Sequence, residues 1–388
     1  MIKLKLDNAE CFLSEIICHR DSLNKERIAS LFETIGEKNC FDLCEKNNVT
    51  CIAYDALNQC SGITISRCWK NSFYATEKRI REYMSELDKV SALLAKHGIP
   101  LIALKNSGIA RSLYPILGAS PMGDLDVLVD KADFRNAHSA LTKFGYSMKF
   151  RSPLEEEDID SAEQHGGAEY SVTLESGNHL WFELQWRPIA GRWIRVDQEP
   201  SATDLIKRSV EIDGSQARLL SPEDNLLQVA LHTAKHTYVR APGFRLHTDV
   251  DRVVRSTNID WDKFVEEVKR IEVKTAVFLS LALAHKLLRT PVPERVLIDI
   301  APGNLKSRVL ILWLQRVGLF YPDRKKWGRF GYIIFVALLY DNLLGLFKSI
   351  LPPPAVIRNH YSNYPNRPLV WLYIIRIIDL INKRVLIK

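Results

Sequence analysis

The chain has 388 residues, of which 46% are apolar and 26% charged, the balance of a soluble globular protein, which leaves no long segment with the composition of disorder. The net charge of +7 is uneven: residues 301–388 carry 14 Lys/Arg against three Asp/Glu, and the rest of the chain carries 39 against 43. All seven cysteines lie in the first 68 residues without a Cys-x-x-Cys pair, and Met1 to Asp7 meets an acid before any apolar run. From this we expect reduced thiols in a cytoplasmic protein. Small residues buried in helices suit these cysteines better than a metal site using His19.

In chain order, residues 1 to about 70 read as short helices. Ala75 to His97 is a long helix, with Ile80, Met84, Leu87, Val90, Leu93 and Leu94 near the 3.6 period and Gly98 as its stop. Pro100 to Leu104 reads as a short buried strand, followed by a helix from about Ser107 to Leu113. Leu125 to Val129 is the next strand, Lys131 to Phe144 a helix stopped by Gly145, and Tyr146 to Phe150 a further strand. The stretch 151–167 is acidic and loop-like. Ala168–Leu174 and His179–Trp186 alternate across Glu175-Ser176-Gly177-Asn178, a hairpin signal. Beyond that the chain reads as helical, with Ser221-Pro222-Glu223-Asp224 a strong helix start. We therefore expect an α+β fold: a helical region over 1–98, a core with a small mixed sheet over 99–190, and a helical region over 191–388.

The chemistry is in Gly123-Asp124-Leu125-Asp126-Val127-Leu128-Val129. Residues two apart in a strand share a face, so Asp124 and Asp126 point one way while Leu125, Val127 and Val129 point into the core. Paired carboxylates repel unless a cation lies between them, and Mg²⁺ or Mn²⁺ suits such a site. A lone Asp-x-Asp often marks only a turn. Here a third acid joins it: Glu183 lies opposite the apolar face Leu180, Phe182 and Leu184, in mid-strand, where an acid without a partner is unfavourable. Three such carboxylates can hold two metal ions, one on the attacking oxygen and one on a triphosphate. Lys105 ends its strand at a turn into a helix, with Asn106, Ser107 and Gly108 as small residues beside it, a place suited to phosphate.

Leu104-Lys105, Tyr114-Pro115, Pro121 to Val129 and Phe144-Gly145-Tyr146 together resemble the uncharacterised nucleotidyltransferase family of bacteria, a branch of the polymerase-β superfamily. Phe182 to Arg187 is similar to that family's third-carboxylate strand. Leu231 to His236, Asp260-Trp261-Asp262 and the Pro352-Pro353-Pro354 segment with Tyr361 resemble its later landmarks, so that the likeness spans roughly residues 45–375. The resemblance implies Mg-dependent transfer of a nucleoside monophosphate from an NTP, such as ATP, to an acceptor. Asp124, Asp126 and Glu183 would be the catalytic metal ligands, and Lys105, Ser107, Gly123 and Lys235 nucleotide contacts. The acceptor, whether small molecule, peptide, protein or RNA, is left open, and DNA is not expected. The chain departs from the family at Asn106 (usually glycine), Ser120 (usually arginine), Glu183 (usually Asp) and Gln185 (usually histidine). The departures at Asn106, Ser120 and Gln185 motivate the alternative of a catalytically weak nucleotide-binding module for regulation or assembly.

Three further features carry less. His232 and His236 share a helix face but lack a nearby glutamate, so packed or surface histidines are the expectation. Asp249 and Asp251 read as polar helix positions, with Asp251-Arg252 solvated. Tyr332 to Tyr340 is too short to span a bilayer before Asp341. Trp371 to Lys388 is an amphipathic basic run, expected to pack on its own domain rather than on a membrane, and a basic C-terminal tail also suits an RNA acceptor.

Overall fold

A computed structural model describes residues 4–151, 158–188, 199–236, 243–317, 319–321, 328–361 and 364–381. Five helices come first: α1 Asn8–Ile16, α2 Lys25–Ile35, α3 Glu37–Lys46, α4 Thr50–Leu57 and α5 Arg67–Lys96. The periodic stripe of α5 begins earlier than Ala75, because Trp69 is wholly buried on the same face and Ser66 stands at the N-cap position. All seven cysteines are free; five are buried, and burial pushes the Cys18 and Cys40 thiols up to about 12, which makes them poor nucleophiles and ligands.

The sheet region follows as β1 Ile102–Ala103, α6 Lys105–Leu113, β2 Asp124–Leu128, α7 Phe134–Phe144, β3 Ser147–Met148, α8 Ile159–His165, β4 Gly167–Thr173 and β5 His179–Gln185. Then come α9 Ala202–Arg208, β6 Val210–Glu211 and β7 Arg218–Leu219. The strands form one seven-stranded mixed sheet in the order β3-β4-β5-β2-β1-β7-β6, with β2/β5 and β1/β7 parallel. The hairpin signal was sound: Leu174 N–H donates to Asn178 O at 2.8 Å, and Gly177 takes φ +82° in the turn.

Two expectations fail on length. Strands β6 and β7 lie in a stretch read as helical, and α8 lies in one read as loop. Two-residue strands carry no period of their own; β7 exists because Arg218 N–H donates to Leu101 O and pairs with β1. Helix α8 has seven residues, about two turns, and begins where Asp158 accepts from Ser161 N–H.

The helices α10 Pro222–His236, α11 Leu246–Ser256, α12 Trp261–Arg270, α13 Lys274–Leu288 and α14 Glu294–Ile300 complete the body. Then follow α15 Asn304–Val317, α16 Gly328–Leu339, α17 Leu343–Ile350, α18 Pro354–His360 and α19 Leu369–Ile381. No helix among the described residues is long and apolar enough to cross a membrane. The basic end of the amphipathic run, 382–388, lies outside the described residues.

One face of the sheet, with Leu125, Val127, Leu180, Phe182 and Leu184, joins the main core formed with α1–α5 and α10–α14. On the other face Ile102, Leu104 and Leu128 are covered by Ala202 and Leu205 of α9. Alternation puts Asp124 and Asp126 on that second face, along the strand from the part that α9 covers at Leu128.

Helix α6 approaches β1 and β7 closely at Gly108. A Cβ there would meet Ala103 O at 2.5 Å and Leu219 Cδ1 at 2.7 Å. Gly108→Ala is expected to destabilise by about 1–3 kcal/mol, since backbone stands in the way. A thermal melt unchanged by the substitution would contradict this packing.

Candidate functional site

The parallel register of β2 and β5 sets Asp126 beside Glu183, Asp124 beside Trp181 and Leu128 beside Gln185. Asp124, two residues before Asp126, shares its face. The carboxylate oxygens of Asp124, Asp126 and Glu183 lie within 4.8 Å of one another, the one group of three acidic, cysteine or histidine ligands found among the described residues. Hard oxygen donors at this spacing fit a divalent cation such as Mg²⁺ or Mn²⁺.

Asp126 is fixed from behind. Asp126 N–H donates to Ser107 Oγ at 2.8 Å, Leu104 N–H donates to Asp126 O at 2.9 Å, and Gln185 Nε2 donates to Asp126 Oδ1 at 3.1 Å. Ser107, expected at the nucleotide, is thus buried and holds strand β2. Gln185, the departure from the family's histidine, orients a metal-ligand candidate. Gly123 is exposed at the start of the strand, and a Cβ there would meet open space.

Lys105 Nζ lies 2.6 Å from Asp126 Oδ1 and 3.9 Å from Glu183 Oε2. Its backbone sits in the left-handed region at φ +51°, unusual for a side-chain-bearing residue and on the order of 1 kcal/mol unfavourable. Gln228 of α10 holds that turn by accepting Lys105 N–H at 2.9 Å. Burial opposes the Lys105 charge, but Asp126, Glu183 and Asp124 carry the ammonium above its ordinary value.

Sequence reading missed Arg151 and Glu169. Arg151 Nη1 donates to Asp124 Oδ2 at 2.6 Å and its Nε donates to Glu169 Oε2 at 3.1 Å, while its guanidinium lies 5.6 Å over the Trp181 ring. Glu169 stands directly across from Glu183 in the hairpin. Thr173 pairs with His179 across the connection 174–178, which sets that register; the four-residue loop 175–178 read from the sequence would instead place Glu169 across from Leu184. Arg151 was missed because it follows the short β3 and meets partners far along the chain.

Behind Lys105 lies a buried polar cluster. Asp249 and Arg245, both almost wholly buried, pair at 3.3 Å; Tyr114 OH donates to Asp249 Oδ1 at 2.7 Å. Asn106 Nδ2 donates to Ser120 Oγ at 2.8 Å and lies 3.2 Å from both Asp249 carboxylate oxygens. The departures Asn106 and Ser120 are therefore satisfied by each other and by Asp249. Asp251, read as solvated, is fully buried instead, held by Arg252 at 2.6 Å, Arg255 at 2.9 Å and Thr290 at 2.7 Å. Helical periodicity alone did not reveal that α11 is enclosed on all sides.

Helix α10 also carries His232, Lys235 and His236. The His232 and His236 rings stand 4.6 Å apart, and burial, followed by Lys105, draws the His232 imidazole well below its ordinary value. His232 is thus neutral and near the lysine turn. The pair belongs to no three-ligand metal group among the described residues.

Burial, against the pull of Lys105 and with Glu183 adding to it, pushes Asp126 up to about 7. Between the ordinary carboxylate range near 4 and about 7, the folded metal-free protein holds a proton that the unfolded chain has lost. This group therefore favours the metal-free fold as pH falls and disfavours it as pH rises through that window. A cation must displace the proton, so its affinity is expected to drop roughly tenfold per pH unit below about 7. Melting curves with and without Mg²⁺ would show a metal-induced rise at about pH 8 that fades towards about pH 5.5. An equal rise at both would contradict the assignment.

An α+β protein whose mixed sheet presents three convergent carboxylates beside a lysine turn is a candidate metal-dependent transferase. The model of the family described as uncharacterised nucleotidyltransferase matches residues 34–289, about two thirds of the chain, and the chain belongs to that family. Searches of curated proteins and of solved structures find no match. The family implies an NTP substrate.

Proposed function

We propose that the protein transfers a nucleoside monophosphate from an NTP, with Mg²⁺ or Mn²⁺, to an acceptor hydroxyl, releasing pyrophosphate. The observation that carries this is the β2/β5 register, which brings Asp124, Asp126 and Glu183 within 4.8 Å of one another in a family of nucleotidyltransferases. Asp124 and Asp126 would hold the ions, and Glu183 would complete the catalytic one. A divalent ion there supplies charge stabilisation at the phosphoryl oxygens and acidifies the acceptor. In-line displacement forms the bond from acceptor oxygen to the α-phosphorus and breaks the bond to the β-phosphate oxygen. Glu183 would accept the acceptor's proton.

Lys105 and Arg151 neutralise the carboxylates in the metal-free state. On ion binding their cationic ends would be freed from Asp126 and Asp124 and turn to the triphosphate. Lys235, on the same helix as Gln228, is a third phosphate candidate. Trp181, beside Asp124 and under Arg151, offers a stacking surface for a base or acceptor. NTP supply suits a cytoplasmic setting.

Incubation with α-labelled NTPs, Mg²⁺ and cell extract is expected to move label into an extract component and release pyrophosphate. Arg151→Ala is expected to raise the KM for NTP about tenfold while metal alone binds more tightly, because a competing cation is gone. NTP binding without any label transfer or pyrophosphate release would replace this reading with a nucleotide-binding module.

A further inference from the structure

Helix α19 packs on its own protein through Leu372, with Leu369 and Ile375 beside it, and yet leaves a second apolar side uncovered. Its polar side chains face inward: Arg376 donates to the carbonyls of Ser349 and Ile350 at 2.8 and 2.9 Å, Tyr373 OH donates to Pro352 O at 2.6 Å, and Asp379 accepts from Tyr361 OH at 2.7 Å. Its outward stripe is apolar. Val370, Trp371, Ile374, Ile377 and Ile378 recur at helical spacing and are all exposed, Val370 by 68%. Helix α17 repeats the pattern, with Leu343, Leu344 and Phe347 exposed by 73%, 61% and 59%. Helices α18 and α19 pack in a small cluster of their own around Ile357, Tyr361 and Leu372, separate from the main core. Two helices of this region, α17 and α19, thus each carry an exposed apolar stripe, more than scattered exposure explains.

Charge selects the occupant. Residues 301–388 carry 14 Lys/Arg and three Asp/Glu. Of the acids, Asp341 accepts the N–H groups of Lys274 and Thr275, and Asp379 is held by Tyr361. Lys348 and Arg358 are exposed, and exposed Arg367 lies 5.4 Å over the Trp371 ring, at the rim of the apolar stripe. A second copy docked face to face would set this excess of positive charge against itself. At 13 residues, α19 reaches about 20 Å, short of the ~30 Å hydrocarbon core. An apolar face with a tryptophan and a cationic rim is the pattern of a helix lying in the interface of an anionic bilayer.

We propose that α17 and α19 dock the protein on an anionic lipid surface, the apolar stripes entering the interface and the basic residues meeting the headgroups. This does not depend on the nucleotidyltransferase reading. The full chain is tested by flotation with vesicles of phosphatidylcholine containing phosphatidylglycerol and with vesicles of phosphatidylcholine alone. Binding is expected to the anionic vesicles, to be weakened at high salt, and to be reduced at least tenfold on the neutral ones. Phe347→Glu with Ile374→Glu, both exposed positions, is expected to lower binding roughly tenfold, while Asp126→Asn leaves it unchanged. The proposal is overturned if the unsubstituted chain stays unbound on anionic vesicles, or if it binds neutral and anionic vesicles alike. Self-association through these stripes without vesicle binding would instead assign them to a second copy.

Discussion

Asp126→Asn is expected to lower kcat/KM for nucleotidyl transfer roughly a thousandfold, equivalent to about 4 kcal/mol of transition-state stabilisation. The substitution keeps the shape of the side chain and removes the charge that Asp124 and Glu183 share with a bound ion. Its fold should survive, because the site is built from backbone register rather than from this one charge. The Asp126 N–H still donates to Ser107, and Lys105 keeps Glu183 at 3.9 Å. The discriminating measurement pairs pyrophosphate release with a melt lacking metal. Lost activity with an intact melt supports the assignment. Activity within about tenfold of the unsubstituted protein would remove Asp126 from the machinery.

Asp249→Ala is expected to destabilise the protein by about 3–5 kcal/mol, the range for removing one partner of a buried ion pair. Arg245 would be left almost wholly buried without its carboxylate, and Tyr114, Asn106 and Arg245 would each lose an acceptor. Asp249→Asn keeps an acceptor and should be milder. Asn106 directly follows Lys105, so the cluster also braces the lysine turn. The Asp249→Ala protein that remains folded is therefore expected to bind NTP more weakly. Chemical denaturation checks the first effect, and a shift under about 1 kcal/mol would show that the cluster is not holding the helices to the sheet.

What could be read in advance was whatever depends on short periods. Alternation placed Leu125 and Val127 inward and Asp124 and Asp126 outward, and it placed Glu183 opposite Phe182 and Leu184. What escaped depends on pairing across long separations. Arg151 finds Asp124, and Asp249 finds Asn106 and Tyr114, only when α6, α11 and the sheet are assembled. Strands β6 and β7 escaped because two residues show no pattern until β1 supplies a partner. The apolar stripe of α19 was visible, but which side of it faces the protein was not. Packing on its own domain was the expectation; Leu372 does pack against Ile357 and Tyr361, while Val370, Trp371, Ile374, Ile377 and Ile378 stay exposed.

The most direct test is an anomalous-scattering map from crystals soaked with Mn²⁺ and a non-hydrolysable NTP at about pH 8, where Asp126 is ionised. The account predicts a manganese peak among the carboxylates of Asp124, Asp126 and Glu183, with the triphosphate between that ion and Lys105. A nucleotide bound elsewhere, or no peak among those three acids at saturating Mn²⁺, would contradict it.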